Sequence, residues 1–244
     1  SIVKTALENG VNFFDTSDIY GNAEELLGEF TKYEKSDLVI ATKTGLKLSG
    51  VQDFSKEYII RSAEKSLIRL KLDQLSIFSV NKPSLEQLLQ GDIYEAFDRL
   101  KKQGKILFCG VGVGDIEAGV HSVKSKEIDC IQVLYHLLYN EPTELIDLAG
   151  LHGKGVVVRS PLNSGILSGT YSKNTKFDTV DWRSRIFTSD LLEERLCILQ
   201  EIQQELGWER EDVLDISLQY ILSNDNVSSI TPGASNASQV NQYV

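Results

Sequence analysis

The run Leu38-Val39-Ile40-Ala41-Thr42 is followed by the stretch Lys56 to Leu70 and then by a second apolar run, Leu75-Ser76-Ile77-Phe78-Ser79-Val80. Both short runs are rich in β-branched and aromatic residues, as strands are. Between them Ile59, Ile60, Ala63, Leu67 and Leu70 recur at helical intervals and line one face. Strand, helix and strand in this order make the crossover unit that joins parallel strands. Working outward, the alternation continues: strands are expected at Asn12 to Asp15, Ile106 to Gly112, Ile128 to Val133, Val156 to Arg159 and Val227 to Thr231. At the start, Ile2 to Glu8 reads as a helix stopped by Asn9-Gly10.

Seven strands behind a leading helix fit an α/β fold of the (β/α)8 TIM-barrel class, with a first strand expected upstream of Ser1. An open seven-stranded sheet is less economical, because exposed edges of buried apolar strands invite mispairing. Residues 1–244 are expected to form a single barrel domain with incomplete ends, since the chain has neither a starting Met nor any other. The connection from about Leu162 to Asp190 is longer than a barrel needs, and such loops commonly form lids or binding loops.

With 35 acidic and 25 basic side chains the net charge is −10. No dense Lys/Arg run is present, which argues against nucleic-acid or anionic-membrane partners. The apolar runs fall far short of the roughly 20 residues that a membrane span needs. Cys109, Cys130 and Cys197 are widely separated, form no CxxC and read as buried thiols of a reducing, cytoplasmic compartment. His121, His136 and His152 do not cluster, so no metal site is expected. Oligomeric state is left open by the sequence.

In parallel barrels the chemistry sits where strands give way to the following loops. The first strand ends in Asp15-Thr16-Ser17-Asp18-Ile19-Tyr20-Gly21, the second in Lys43 and the third in Asn81-Lys82-Pro83. A carboxylate, a phenol, an ammonium and an amide could therefore converge. A nearby cation lowers the pKa of a Tyr hydroxyl, Asp15 would orient that cation, and Asn81 could donate to an oxygen that gains negative charge. This suits proton delivery to a carbonyl that accepts hydride. The plainer alternative has Lys43 snorkelling, Asp15 capping a turn and Tyr20 packing under a loop.

The segment Gly10-Val11-Asn12-Phe13-Phe14-Asp15-Thr16 through Tyr20-Gly21, with Glu24-Glu25-Leu26-Leu27-Gly28, resembles the opening motif of the aldo-keto reductases. Val39-Ile40-Ala41-Thr42-Lys43 is similar to that family's catalytic-lysine strand. Ser160-Pro161-Leu162 with Gly165, Leu167, Gly169 and Tyr171 resembles its cofactor loop, and Pro232-Gly233-Ala234 with Gln239 its adenosine-phosphate segment. The resemblance implies a barrel that binds NADP(H), with NAD(H) as a further option, and reduces a small-molecule aldehyde or ketone. It assigns Tyr20 as general acid, Lys43 as its pKa-lowering partner and Asp15 as the acid paired with the lysine.

Asn81 stands where the family usually has His. It can donate a hydrogen bond but cannot carry a proton. The potassium-channel beta subunits, a branch of the family, resemble this chain in having Asn there, so a low-turnover nucleotide-binding sensor or regulatory subunit is the alternative function. For the cofactor, the resemblance implies roles for Gln132, Arg159, Ser160, Pro161, Leu162, Ser164, Gly165, Gly233, Ser235, Gln239 and Gln242. Gln132 would bind the carboxamide, Arg159 would lie against the nicotinamide where others place an aromatic ring, and Gln242 would read adenine. Gly112-Val113 lacks the usual side-chain donors. Ser235 replaces an Arg that often meets the 2′-phosphate, leaving Arg183 or Arg185 of the long loop to compensate or simply to be solvated.

Overall fold

Strand and helix alternate along the chain because apolar runs too short for a helix are separated by amphipathic stretches too long for a loop. The computed structural model describes residues 1–31, 38–179 and 181–244. In chain order the elements are α1 (Ile2–Glu8), β1 (Phe13–Asp15), α2 (Ala23–Gly28), β2 (Val39–Thr44), α3 (Lys56–Leu70), β3 (Leu75–Asn81), α4 (Leu85–Leu89) and α5 (Asp92–Lys102). They continue with β4 (Ile106–Gly112), α6 (Ile116–Lys124), β5 (Cys130–Leu134), α7 (Thr143–Leu151) and β6 (Gly155–Arg159). A 3₁₀ turn (Asn163–Ser168) leads to α8 (Arg183–Ile186), α9 (Ser189–Leu206), α10 (Val213–Leu222), β7 (Ser229–Thr231) and α11 (Ala237–Tyr243).

Among the described residues seven strands pair in sequence order, all parallel. The sheet curls: α1 packs against α11, and Asn9 Nδ2 donates to Asn241 Oδ1 at 3.2 Å. The result is a nearly closed barrel of the expected (β/α)8 class, with β1 and β7 each bonded to a single neighbour. Strands β1, β5 and β7 begin one to two residues later than expected, and β2 runs on to Thr44. Pairing reaches slightly beyond the strand limits, since Val39 N bonds Asn12 O and Ser228 N bonds Val156 O.

The face of α3 read from the sequence is the one it buries: Ile59, Ala63 and Leu70 are fully covered, with Ile60 and Leu67 close behind. These side chains join Phe78 of β3 and Phe97 of α5 in one cluster, the two rings meeting edge to face at 6.4 Å. Burying each large apolar side chain contributes about 1.5 to 3 kcal/mol, which fixes the helix layer on the sheet. Among the described residues no helix is long and apolar enough to cross a membrane.

Candidate active site

Asp15 ends β1 opposite Ala41 of β2, and Lys43 lies two residues beyond Ala41. Side chains two apart on a strand share a face, so register alone sets Asp15 and Lys43 together. Lys43 is 4% exposed, and its Nζ donates to Asp15 Oδ2 at 2.6 Å and to the Thr16 carbonyl at 2.8 Å. The loop after β1 is tied to the end of β2, with Ser17 Oγ donating to Lys43 O and Thr44 Oγ1 to Asp18 Oδ2. A turn closed by Tyr20 N to Ser17 O then brings the half-exposed Tyr20 ring over Lys43, its centroid 5.3 Å from Nζ.

The electrostatics of Tyr20 depart from the expected pattern. Burial, followed by the Asp15 carboxylate, raises its hydroxyl above the ordinary value of 10, while the Arg159 guanidinium acts in the opposite sense. Lys43 donates to Asp15 and to the Thr16 carbonyl and faces the Tyr20 ring, making no hydrogen bond to its hydroxyl. The Arg159 guanidinium, which favours the phenolate, reaches the site from β6.

Asn81 ends β3 and pairs in register with Gly112 of β4, which pairs in turn with Gln132 of β5. A Cβ at position 112 would lie 3.1 Å from Asn81 Oδ1. The amide at 81 and the missing side chain at 112 are therefore one packing unit, since a Ser at 112 would crowd Asn81. Gln132 is 7% exposed, and its side chain has no hydrogen-bond partner among the described residues. Arg159 stands two residues nearer the strand ends than Val157, the register partner of Gln132, and its Nε is buried without a partner.

The segment after β6 is conformationally unusual. Ser160, Asn163 and Ser164 have φ of 54°, 46° and 57°, and Gly165 has 102°. Non-glycine residues in this region carry strain that clusters at functional loops. Gly165 is required twice, by its φ and because a Cβ would strike the Tyr171 hydroxyl. Pro161 and Leu162 are buried beneath the loop.

At the far end of the chain Gln239 Oε1 accepts from Ser235 N (2.7 Å), Asn236 caps α11 through Gln239 N, and Tyr243 Oη donates to the Gly233 carbonyl. Ser235, Gly233 and Gln242 are exposed. Register and hydrogen bonding bring Asp15, Lys43 and Tyr20 together, with Asn81, Gln132 and Arg159 on the following strand ends. Gly233, Ser235, Gln239 and Gln242 form a separate group around α11. Arg183 is engaged within its own loop: it pairs with Asp181 at 2.5 Å, donates to Tyr171 Oη at 2.7 Å and stacks on Phe177.

Two residues of this face escaped the sequence reading as site members. Lys82, adjacent to Asn81, takes φ 58° and bonds Gly112 O through its backbone N–H. Tyr139 lines a cavity of about 260 Å³ with Arg159, Val113 and Gly114, and donates to Glu141 Oε2 at 2.6 Å. The position of Lys82 directly after a strand-end amide was the available signal for it, whereas nothing local marked Tyr139.

A model described as the aldo/keto reductase family matches residues 1–244. The chain is 30% identical to L-galactose dehydrogenase of Arabidopsis thaliana over 255 residues, covering 99% of this chain and 75% of that one. It is 28% identical to an uncharacterized oxidoreductase of Bacillus subtilis, YqkF, over all of this chain and 80% of the relative. It is also 26% identical to a probable voltage-gated potassium channel subunit beta of Arabidopsis thaliana, over 99% and 79%. Among solved structures, the holo form of an aldo-keto reductase from Bacillus halodurans superposes with TM-score 0.78 at 27% identity, over 99% of this chain and 78% of that one.

Proposed function

The chain belongs to the aldo/keto reductase family of nicotinamide-dependent oxidoreductases, and from that premise we propose that it uses NADP(H), with NAD(H) as a second option, to reduce a small aldehyde or ketone to an alcohol. The observation that carries this reading is the buried Lys43–Asp15 pair beneath the Tyr20 ring, at the strand ends where barrel enzymes do their chemistry. When bound, the reduced nicotinamide supplies the hydride. Tyr20, protonated at neutral pH, delivers the proton to the carbonyl oxygen, and because its pKa is raised the transfer relies on the strong basicity of the alkoxide that develops as hydride arrives. Asn81 donates a hydrogen bond to the same oxygen as negative charge develops there. Lys43 and Asp15 hold the Tyr20 ring in place and keep a fixed dipole beneath it.

The residues present fit a nicotinamide dinucleotide. Gln132, buried without a side-chain partner, suits the carboxamide, and Arg159 suits a place against the ring. Ser160, Pro161, Leu162, Ser164 and Gly165 form a turn-rich segment of the kind whose backbone N–H groups cradle phosphates. Gly233, Ser235, Gln239 and Gln242 would hold the adenosine end. With Ser235 unable to make a charge-assisted fork and Arg183 engaged elsewhere, discrimination of NADPH from NADH is expected to be weak. The unpaired thiols Cys109, Cys130 and Cys197 suit a cytoplasmic setting.

A second reading, a low-turnover sensor of the nucleotide's redox state, is favoured by one feature: Lys43 addresses the ring of Tyr20 and not its hydroxyl. Fluorescence titration with NADPH and NADH, followed by single-turnover oxidation of bound NADPH on adding 4-nitrobenzaldehyde, separates the two. Binding with oxidation is the expected result. Tight binding without oxidation of this or other carbonyls would select the sensor, and no binding of either nucleotide would remove both readings.

A further inference from the structure

At the catalytic face, where Lys43 is paired with Asp15, two further cations have no carboxylate partner among the described residues. Arg159 and Lys82 make no ion pair with any described residue, and Arg159 Nε is buried with no hydrogen-bond acceptor. The strand order places them on either side of β4 and β5, Lys82 following β3 and Arg159 ending β6. Both border the end of β4: a Cβ on Gly114 would lie 3.0 Å from Lys82 Cβ, and Gly114 lines the same cavity of about 260 Å³ as Arg159. The acids lining that cavity are committed elsewhere. Asp115 caps α6 through Ala118 N, and Glu141 accepts from Tyr139 Oη.

Two unmatched cations brought together repel each other, and the Arg159 charge adds to burial in pushing the Lys82 ammonium below its ordinary pKa. An arrangement of this kind is relieved by an anion bound between the two groups. Lys82 is adjacent in sequence to Asn81, and Arg159 acts electrostatically on Tyr20, so that anion would sit beside the proposed carbonyl position. We propose that Lys82, with the Arg159 charge reinforcing it from its place beside the nicotinamide, binds a carboxylate or phosphate carried by the carbonyl substrate, so that the preferred substrates are anionic aldehydes or ketones. The inference rests on the reductase reading and names the substrate class of that same site.

The test compares 4-carboxybenzaldehyde and 4-formylphenyl phosphate with the neutral methyl 4-formylbenzoate, following NADPH oxidation by the wild-type chain and by Lys82→Gln. A charge-assisted contact should give at least about tenfold in kcat/KM for an anionic aldehyde over the ester, which is about 1.4 kcal/mol. That preference should fall to near parity in Lys82→Gln, through KM more than kcat, and the anion that gains more identifies the group. Equal or faster reduction of the ester by the wild type overturns the inference and leaves the reductase reading intact. If Lys82→Gln weakens NADPH binding, measured by fluorescence titration, as much as it lowers turnover of the ester, the cation serves the cofactor and the inference is again overturned. If none of the three aldehydes oxidises bound NADPH, the reductase reading fails and takes the inference with it.

Discussion

Asp15 and Lys43 form an ion pair whose side chains are 16% and 5% exposed, with one further Lys43 bond to a backbone carbonyl. Removing one member of such a pair leaves the other charged in a poorly solvated place, which costs about 3 to 5 kcal/mol when burial is complete. Asp15→Asn is therefore expected to lower the unfolding free energy by about 3 kcal/mol in urea titrations, the residual exposure of Asp15 setting the low end. The double variant Asp15→Asn/Lys43→Met should recover most of that. A loss under 1 kcal/mol for Asp15→Asn would show the pair to be effectively solvated. The meeting of these two side chains was legible in the sequence, because strand periodicity and the rule of catalytic strand ends both act locally. The effect on Tyr20 was not: which way an ammonium donates depends on which acceptors surround it, and Asp15 and Thr16 outcompete the phenol. Asn81 and Gly112 likewise read as two independent departures from the family pattern, whereas register makes them one contact.

Among the elements, the segment between β6 and α9 is held by a chain of side-chain contacts. Asp181 grips Arg183, Arg183 donates to Tyr171 Oη, and that hydroxyl donates in turn to the Ser164 carbonyl in the left-handed loop. Beside it Tyr171 meets Phe177 edge to face, and Phe177 stacks on Phe187. Arg183→Ala removes the central member, so cleavage by trypsin at Lys173, Lys176 or Arg185 should accelerate at least about fivefold with little change in global unfolding, as expected for local opening. Unchanged cleavage would mean that the aromatic stack alone holds the segment. The length of this connection was evident from the sequence, and so was α3, whose periodicity and buried face agree. The pinning role of Arg183 was not evident, because it depends on which distant loop residues the folded chain brings beside it.

On the scale of the whole molecule, the barrel was readable because alternation of strand and helix signals leaves few architectures open to a parallel sheet. Stability against acid depends on groups that pattern does not mark. His136 is 3% exposed, its Nδ1 has no partner, and burial, aided by the Arg195 charge, lowers its pKa from 6.5 to about 4. The unfolded chain therefore binds a proton that the folded chain refuses. This term is absent above pH 6.5, grows as pH falls and levels off near pH 4, destabilising the fold by up to about 3 kcal/mol. Urea titrations at pH 7 and pH 4.5 should show that loss, and His136→Gln should reduce it. Of the carboxylates held low, Asp53, Asp129 and Asp181 lose their contribution at and below 3.8 and Glu127 at and below 4.5, so the comparison with His136→Gln separates the histidine term from theirs. An equal pH slope in His136→Gln would assign the acid sensitivity elsewhere.

The central claim is that Tyr20 gives the proton to the reduced carbonyl, and single-turnover oxidation of bound NADPH by Tyr20→Phe tests it most directly. The variant should bind NADPH as the wild type does and oxidise it at least about a hundredfold more slowly with 4-nitrobenzaldehyde, the range in which general acids act. Oxidation at the wild-type rate would contradict the account.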